Sequence, residues 1–337
     1  MRKFVLGLIL ISLLVSIIVL TCSFLISKGE TKELKEVTVK LKWLHQAQFA
    51  GIYTAIEKEF YKKEGLRINL IPFSFEKPTI QSVVNNEADF GITGADELIL
   101  ARAKGFPLKA IAVIYKINPV CAYALKESGI KTPYDFIGKT IGLERGTNVD
   151  LLYFAMMKKL KIDRKKIKEI SIRYDASELI KGITDVSTGY IINEPHQAIE
   201  AGYEVNTILM ADYGINIYAD VLFTRDELID QQPKLVEKFL RATLKGWQYA
   251  IEHELEAVNH TLKYSTDTTL SHQLYMLTTS IPLIHTGDNP LGMMKKEEWE
   301  KVQNLLIEQN LLKDPIDIEQ VFTLEFLEKI YGKDKIL

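Results

Sequence analysis

The chain has 337 residues, of which 47% are hydrophobic and 26% are charged, and its formal net charge is −2 at pH 7. This composition is typical of a folded globular protein, and the length suits one large or two medium domains. Because basic residues are not in excess, the sequence argues against nucleic acid as a partner.

Residues 1–27 are predicted to form an export signal or a membrane anchor. Arg2 and Lys3 are the only charged residues in this segment, and the apolar run Phe4–Ile26 follows them. A charged start before an apolar stretch is typical of an export signal. This run is also long enough to span a bilayer.

The sequence leaves three alternatives for this segment: a retained anchor, a lipid anchor on Cys22, or a cleaved signal. Thr21 stands where lipoprotein signals carry a small residue such as Gly or Ala, which weakens the second alternative. All three alternatives place the body outside the cytoplasm, and the first two tether it to the membrane. The polar residues 28–36 are predicted to be a tether.

Strands and helices are predicted to alternate from residue 37 onward. The predicted strands are Val37–Trp43, Arg67–Pro72, Asp89–Ile92, Leu108–Tyr115, Thr140–Leu143, Ile170–Tyr174, Val186–Ile192 and Val205–Met210. Apolar residues at helical spacing separate them, as in Thr79–Asn86, Ala95–Ala103 and Pro195–Ala201. After Leu222–Thr224 the pattern becomes mainly helical. Strands separated by helices indicate parallel α/β units.

Two successive α/β units followed by a helical tail predict two lobes. The first lobe comprises residues 37–119 and 221–337, and the second comprises residues 120–220. Two chain crossings would then form a hinge, near Val120–Lys126 and near Asp220–Arg225. We expect the ligand site in the cleft between the lobes, because open α/β sheets bind ligands at the carboxyl ends of their strands.

Several segments share their pattern, in order, with one known family. These segments are Leu41–Tyr53, Phe60–Leu66, Asp89–Leu98, Asn193–Pro195 after Tyr190, Asp212–Ile215, Val221–Arg225 and Leu244–Ala250. They resemble the thiamine-pyrimidine synthase-like substrate-binding proteins. That family includes binding proteins of ABC importers, sensory domains of membrane receptors, and a pyrimidine synthase.

The resemblance implies an α/β, two-lobed periplasmic binding protein fold with two hinge crossings. It also implies a small-molecule ligand, with an ABC permease and its ATPase as partners. Thiamine pyrimidine precursors, held between aromatic rings, are known ligands in this family, and a neighbouring branch binds sulfonates. The sequence leaves these ligand classes open.

Trp43 and Tyr115 end the first and fourth predicted strands, so both are candidates to stack on a flat heterocycle. The alternative for each is a place in the core. Glu194 is the favoured polar anchor, because a carboxylate accepts two hydrogen bonds from an aminopyrimidine. Its alternative is a charge that stabilises a helix start at Pro195.

Weaker candidates surround these residues. Tyr190 and Asn193 flank Glu194 in sequence, and His45, Gln46 and Gln48 follow Trp43, where they either line the mouth of the site or are solvated loop residues. Thr93 and the run Gly146, Thr147 and Asn148 precede helices. Free N–H groups at such helix starts bind anionic or carbonyl groups, although ordinary caps are the common alternative.

Catalysis is not expected. The resemblance to the synthase would require a lysine for pyridoxal phosphate and a histidine four residues later, where this chain has Thr93 and Glu97. A Schiff base needs an amine, and the synthase's cysteine cluster has no counterpart in Tyr213–Asp220. A sensor would need a second apolar span, which is not evident after Phe326–Tyr331.

No cofactor or metal site is predicted. We expect no metal-ligand spacing with acids or cysteines for the six histidines, which are at positions 45, 196, 253, 260, 272 and 285. The combined hypothesis is a binding protein for a small heterocycle.

Overall fold

The structure is a computed structural model that describes residues 33–335 except Asp267 and Asp288. The predicted signal or anchor, residues 1–27, lies outside the described residues. Within the described part of the chain, no helix is both long and apolar enough to cross a membrane.

The described residues contain ten strands and thirteen α-helices. The strands are β1 (Lys35–Lys40), β2 (Leu66–Ile71), β3 (Phe90–Thr93), β4 (Leu108–Tyr115), β5 (Val120–Leu125), β6 (Thr140–Leu143), β7 (Lys168–Ser171), β8 (Val186–Tyr190), β9 (Val205–Leu209) and β10 (Ala219–Arg225). The helices are α1 (Ala50–Glu57), α2 (Phe60–Lys63), α3 (Thr79–Val84), α4 (Ala95–Ala103), α5 (Asn148–Lys159), α6 (Ser177–Ile180), α7 (Glu194–Glu200), α8 (Asp226–Gln231), α9 (Pro233–Glu252), α10 (Glu254–Thr261), α11 (Leu270–Ile284), α12 (Lys296–Glu308) and α13 (Glu325–Tyr331).

The strands form two five-stranded sheets. The first sheet has the order β2-β1-β3-β10-β4 and the second has the order β7-β6-β8-β5-β9. β1 pairs in parallel with β3, and β6 pairs in parallel with both β7 and β8. β10 in the first sheet and β5 in the second run antiparallel to both of their neighbours. These two strands come directly after the chain has crossed from one sheet to the other.

The chain crosses between the sheets in residues 116–119 and 214–218, and the two crossings are hydrogen-bonded to each other. The Asn216 side chain donates to the carbonyl of Lys116 at 3.0 Å. Its Oδ1 accepts the N–H of Asn118 at 2.8 Å. The crossings therefore lie side by side, as two hinge strands of a two-lobed protein would.

The hinge positions predicted from the sequence need correction. Val120–Leu125 forms β5 and Ala219–Arg225 forms β10, both inside sheets. Each crossing precedes the predicted position by a few residues. The physical reason is that Pro119 has no N–H to donate to a strand ladder. At the second crossing the 3₁₀ helix Met210–Tyr213 ends at Gly214, and strand pairing begins again only at Ala219. Of the predicted tether 28–36, residues 28–32 lie outside the described residues, and β1 begins at Lys35.

Helix α9 packs across α1 beside the first sheet, in a contact that we call the helix seam. The apolar face of α9 is buried, and Phe239 stacks on Phe90 of β3 with ring centroids 3.9 Å apart. The helices meet at two glycines: a Cβ on Gly246 would lie 2.1 Å from the carbonyl oxygen of Gly51. Close packing of α9 on α1 thus requires glycine here.

Candidate functional site

The two sheets enclose a cavity of about 240 Å³ at the carboxyl ends of their parallel strands. Its walls follow β1, β2 and β3 in the first sheet and β6, β7 and β8 in the second. The lining residues are Lys42, Trp43, Gln46, Gln48, Phe73, Phe75, Gly94, Asp96, Glu97, Glu144, Arg145, Gly146, Thr147, Asn148, Val149, Tyr174, Tyr190, Asn193 and Glu194. This is the edge at which open α/β sheets bind their ligands.

Four aromatic rings, Trp43, Phe73, Phe75 and Tyr174, form what we call the aromatic wall of the cavity. Trp43 stacks on Phe73 at 5.9 Å and meets the edge of Tyr174 at 5.2 Å, while Phe73 meets Phe75 at 5.1 Å. Phe75 is 72% exposed, so part of the wall faces solvent. Tyr174 follows β7 of the second sheet, so the wall is built from both sheets. Such a wall offers a face on which a flat ring can stack.

A partly buried lysine lies beside the wall. Lys42 Nζ lies 3.2 Å from Asp220 Oδ1 and 3.3 Å from the Tyr190 hydroxyl. Burial opposes the charge on Lys42, but Tyr190, Asp220 and Glu97 outweigh it and raise its pKa. Burial also raises the pKa of Asp220, yet the charged lysine and two 2.9 Å bonds from Gln48 favour the ionised carboxylate. The other cation of the cavity lining, Arg145, lies 3.6 Å from Glu169, so both positive charges already have an acidic partner.

Two carboxylates of the cavity each have an unpaired oxygen. Asp96 Oδ1 and Glu144 Oε1 are buried and have no hydrogen-bond partner among the described residues. Burial, followed by the charge of Glu97, raises the pKa of Asp96 to about 6. Burial, followed by the charge of Glu194, raises the pKa of Glu144 well above its usual value. An unpaired buried polar atom costs about 1–3 kcal/mol, so both oxygens are suited to accept donors from a ligand.

Glu194 is held in place by its neighbours. Its Oε2 accepts the backbone N–H of Tyr190 at 2.7 Å, and its Oε1 accepts Asn193 Nδ2. Burial raises the pKa of Glu194 to about 7, against these hydrogen bonds. A Cβ on Gly189 would lie 2.6 Å from Oε2, so glycine makes room for the carboxylate. Glu194 is also the first residue of α7, so both sequence interpretations, cavity wall and helix start, apply to it.

The two helix starts at the cavity carry their own acids. Asp96 lies in the first turn of α4, and its pKa is affected by hydrogen bonds to the backbone N–H groups of Asp96 and Glu97. At α5, Asp150 accepts the N–H of Gly146 at 3.1 Å, and Thr147 accepts the N–H of Val149 at 3.2 Å. Carboxylates therefore occupy the places where these helix starts would hold an anion.

The NMT1/THI5 like family profile matches residues 46–257, more than half of the chain. This chain belongs to the NMT1/THI5 like family. The membership confirms the resemblance found in the sequence.

Curated relatives of this NMT1/THI5 like protein include binding proteins and a synthase. The chain is 28% identical to the riboflavin-binding protein RibY of Chloroflexus aurantiacus, covering 87% of this chain and 86% of that one. It is 23% identical to the formylaminopyrimidine-binding protein of Halalkalibacterium halodurans, covering 93% and 97%. It is 26% identical to the 4-amino-5-hydroxymethyl-2-methylpyrimidine phosphate synthase of Legionella pneumophila, covering 86% and 92%.

A solved structure defines the fold of this family member. The putative periplasmic sulfonate-binding protein SsuA from Methylobacillus flagellatus superposes with a TM-score of 0.70 at 17% identity, covering 90% of this chain and 96% of that one. At this identity the likeness concerns the fold, which is the predicted α/β, two-sheet periplasmic binding protein fold.

Most of the candidate residues from the sequence line the cavity of this NMT1/THI5 like protein. They are Trp43, Gln46, Gln48, Gly146, Thr147, Asn148, Tyr190, Asn193 and Glu194. Tyr190 and Asn148 are hydrogen-bonded to each other at 3.0 Å. Lys42 lies 3.3 Å from the same Tyr190 hydroxyl, so these three side chains form a polar part of the cavity lining.

Three candidates lie elsewhere. Tyr115 is fully buried in the core, where its hydroxyl donates to Ser280 at 2.8 Å, so its ring is not a cavity wall. Thr93 is fully buried and hydrogen-bonds Glu97. His45 Nδ1 lies 3.1 Å from the Tyr53 hydroxyl, outside the cavity lining. The reason for Tyr115 is that β4 is covered on both faces, which strand position alone does not reveal.

Sequence reasoning missed several lining residues, of which Lys42, Phe73, Asp96, Glu144 and Tyr174 matter most. Each follows the carboxyl end of a parallel strand, and that position was the available signal. The strand-end position did not single out Asp96 and Glu144, because both resemble ordinary loop and helix-start charges until their burial is known.

The sequence interpretation also missed a grouping of histidines. His196 and Glu200 are four residues apart on α7, and His272 of α11 lies against them, with one ligand-capable atom of each within 4.8 Å of the others. The spacing on α7 was visible in the sequence. The third member is distant in the chain, and only the fold of this family member brings it close.

Proposed function

We propose that this chain is the extracytoplasmic solute-binding protein of an ABC importer, and that its ligand is a small aromatic heterocycle of the aminopyrimidine class. The permease and ATPase of the importer would be its partners. Its N-terminal segment, retained or lipidated at Cys22, would tether it to the membrane. Relatives named as binding proteins for riboflavin and for formylaminopyrimidine support a heterocycle.

The observation that carries the proposal is the pairing of an aromatic wall with unpaired carboxylate oxygens. Trp43 offers a stacking face, while Asp96 Oδ1 and Glu144 Oε1 lack donors among the described residues. An aminopyrimidine supplies both a flat ring and N–H donors. Stacking would add about 0.5–1.5 kcal/mol beyond the area buried.

An organic anion such as a sulfonate fits the cavity less well. Asp96, Glu97, Glu144 and Glu194 all line it, and the charge of Lys42 is already paired with Asp220. An anion placed among these acids would meet like charges in a poorly solvated site. The electrostatics therefore favour a neutral or cationic ligand.

The size of the cavity favours a ligand with one ring over a ligand with three fused rings. Pockets for drug-sized ligands measure about 300–1,000 Å³, and this cavity measures about 240 Å³. A flavin is the second candidate, supported by the relative named for riboflavin and by the four rings of the aromatic wall. It would require the sheets to move apart.

The ligand would bridge two lobes, for which we propose the boundaries 37–119 with 221–337, and 120–220. Contacts already join the two sides: Trp43 meets Tyr174, and Lys42 meets Tyr190. These contacts would be made in the closed arrangement and broken in the open one. Ligand that touches both sides shifts the equilibrium towards closure.

Binding without catalysis is part of the proposal, although one relative is named as a synthase. Thr93 and Glu97 stand where the synthase resemblance implies lysine and histidine, and neither supplies an amine for a Schiff base. The chain with pyridoxal phosphate, iron and oxygen should therefore form no pyrimidine. Product detected by mass spectrometry above a protein-free control would contradict this.

The binding site is tested by calorimetric titration. The ligands are hydroxymethyl- and formylaminomethyl-pyrimidines, riboflavin, taurine and an alkanesulfonate. We expect pyrimidine binding to weaken at least about tenfold in Trp43→Ala, because the stacking face and its buried area are lost. Glu194→Gln should weaken it by about 1–3 kcal/mol, since an amide donor replaces an acceptor oxygen.

Tyr115→Phe is the control, because Tyr115 does not line the cavity, and its affinity should match that of the wild type. Binding of sulfonates alone would refute the ligand class. Pyrimidine binding that neither Trp43→Ala nor Glu194→Gln changes would refute the site.

A further inference from the structure

His196, Glu200 and His272 lie next to the cavity but do not line it. His196 and Glu200 lie on α7, which comes after β8 of the second sheet. His272 lies on α11, which packs on β4 of the first sheet. Both histidines are buried and Glu200 is exposed. The group therefore joins the two halves of the molecule at one edge.

The three ligand-capable atoms have the spacing of a metal site. His196 Nδ1 and His272 Nδ1 are 3.0 Å apart, and Glu200 Oε2 lies 3.3 Å from the latter and 3.9 Å from the former. Tetrahedral Zn²⁺ with bonds of about 2.0–2.2 Å places its ligand atoms about 3.3–3.5 Å apart. Small side-chain adjustments bring all three atoms onto one ion.

Supporting hydrogen bonds orient two of these ligands. His272 Nε2 is 2.8 Å from Asn193 Oδ1, an acceptor, so the proton lies on Nε2 and the lone pair on Nδ1. Thr269 Oγ1 donates to Glu200 Oε1 at 2.9 Å and leaves Oε2 facing the histidines. Such outer hydrogen bonds are typical of metal-binding histidines and carboxylates.

We propose that His196, Glu200 and His272 bind one transition-metal cation of the Zn²⁺ class and that this cation bridges α7 and α11. Two imidazoles and one carboxylate leave a fourth tetrahedral position for water. Imidazole ligands disfavour Mg²⁺ and Ca²⁺, which prefer oxygen. Because the ligands come from both halves, the bound cation holds the halves together.

The site is tested with the untagged full chain after treatment with a chelator. Calorimetry with ZnCl₂ should give one bound ion per chain, and Co²⁺ should give the intense absorption of a tetrahedral site. Glu200→Gln, a conservative change at an exposed side chain, and His272→Ala should each weaken Zn²⁺ binding more than tenfold. Asn193→Ala, which removes the supporting bond to His272 together with the bond to Glu194, should weaken it by about 10–100-fold.

His285→Ala is the matched control, because His285 is exposed and lies outside the group. Its Zn²⁺ affinity should equal that of the wild type. Thermal melts without metal check that each variant is folded. If His272→Ala does not fold, Glu200→Gln alone decides the test. Equal Zn²⁺ binding in the wild type and Glu200→Gln would overturn the proposal, as would no binding to the wild type.

The bridging claim has its own readout. Hydrogen–deuterium exchange with Zn²⁺ and no organic ligand should slow in both 194–200 and 270–284. Protection of only one segment would overturn the bridge. None of these measurements requires the heterocycle to bind, so failure of this site and failure of the proposed ligand class are distinguishable.

Discussion

The helix seam and the cavity are both buried, but they are built in opposite ways. At the seam, α9 and α1 bring apolar side chains and two glycines into close contact, with Gly246 against Gly51. In the cavity, Asp96 and Glu144 keep oxygens without partners among the described residues. Close contact and burial at the seam stabilise the fold. The unpaired oxygens of the cavity lower the stability of the ligand-free protein but can accept hydrogen bonds from a ligand.

This difference predicts which substitutions change stability and which change ligand affinity. A change at the seam should lower stability and leave ligand affinity alone. Removal of a buried acid from the cavity should raise stability and weaken binding, because natural binding sites trade stability for function. Three substitutions, in order of expected size, test this contrast.

Gly246→Ala should have the largest effect on stability. The added Cβ would lie 2.1 Å from the Gly51 carbonyl oxygen, so α9 must move away from α1. Overpacking of this kind costs about 3 kcal/mol, which lowers the melting temperature by about 4–5 °C in a chain of 337 residues. Differential scanning calorimetry measures the change.

Gln248→Ala on the exposed side of α9 is the control, and its melting temperature should stay within about 2 °C of the wild type. If Gly246→Ala melts with the control, α9 and α1 do not pack as closely as described. A tenfold loss of ligand affinity in Gly246→Ala would show that the seam and the cavity are coupled.

Glu144→Gln should stabilise the ligand-free protein, and more so at high pH. The raised pKa of Glu144 means that its stability contribution is present below the unfolded value near 4.5 and is lost as pH rises through the folded value. The glutamine does not titrate. The free energy of unfolding of the variant should therefore increase relative to that of the wild type between pH 5 and pH 8.

Urea denaturation at several pH values measures this gain. Glu204→Gln, at an exposed surface position, is the control and should show no such trend. A gap between Glu144→Gln and wild type that narrows as pH rises would contradict the burial of an unpaired carboxylate in the cavity. The same variant should bind the heterocycle more weakly.

Tyr115→Phe should have the smallest effect. It removes one buried hydrogen bond to Ser280 and should lower the free energy of unfolding by about 1 kcal/mol. Ligand affinity should not change, because the ring is covered by the core. A tenfold lower ligand affinity in Tyr115→Phe would show that Tyr115 belongs to the binding site and that the cavity extends to its ring.

The α/β architecture could be predicted from the amino-acid sequence alone. The continuous apolar run of β4 and the helical spacing of α4 located both elements to the residue, because these patterns are local properties of the chain. Strand-end position and the resemblance pointed to Trp43, and the resemblance also pointed to Glu194, which is hydrogen-bonded to its sequence neighbours Tyr190 and Asn193. Both now line the cavity.

The burial of polar residues and the contacts between residues distant in the chain could not be predicted from the sequence, because both depend on how the elements pack. Tyr115 and Trp43 were equivalent as strand-end aromatics, but the covering of β4 put the first in the core. Burial of Asp96 and Glu144, and with it their raised pKa values, depends on both sheets. The approach of His272 to α7 depends on the packing of a tail helix across the crossing, since contacts between segments far apart in the chain arise from packing and leave no local pattern.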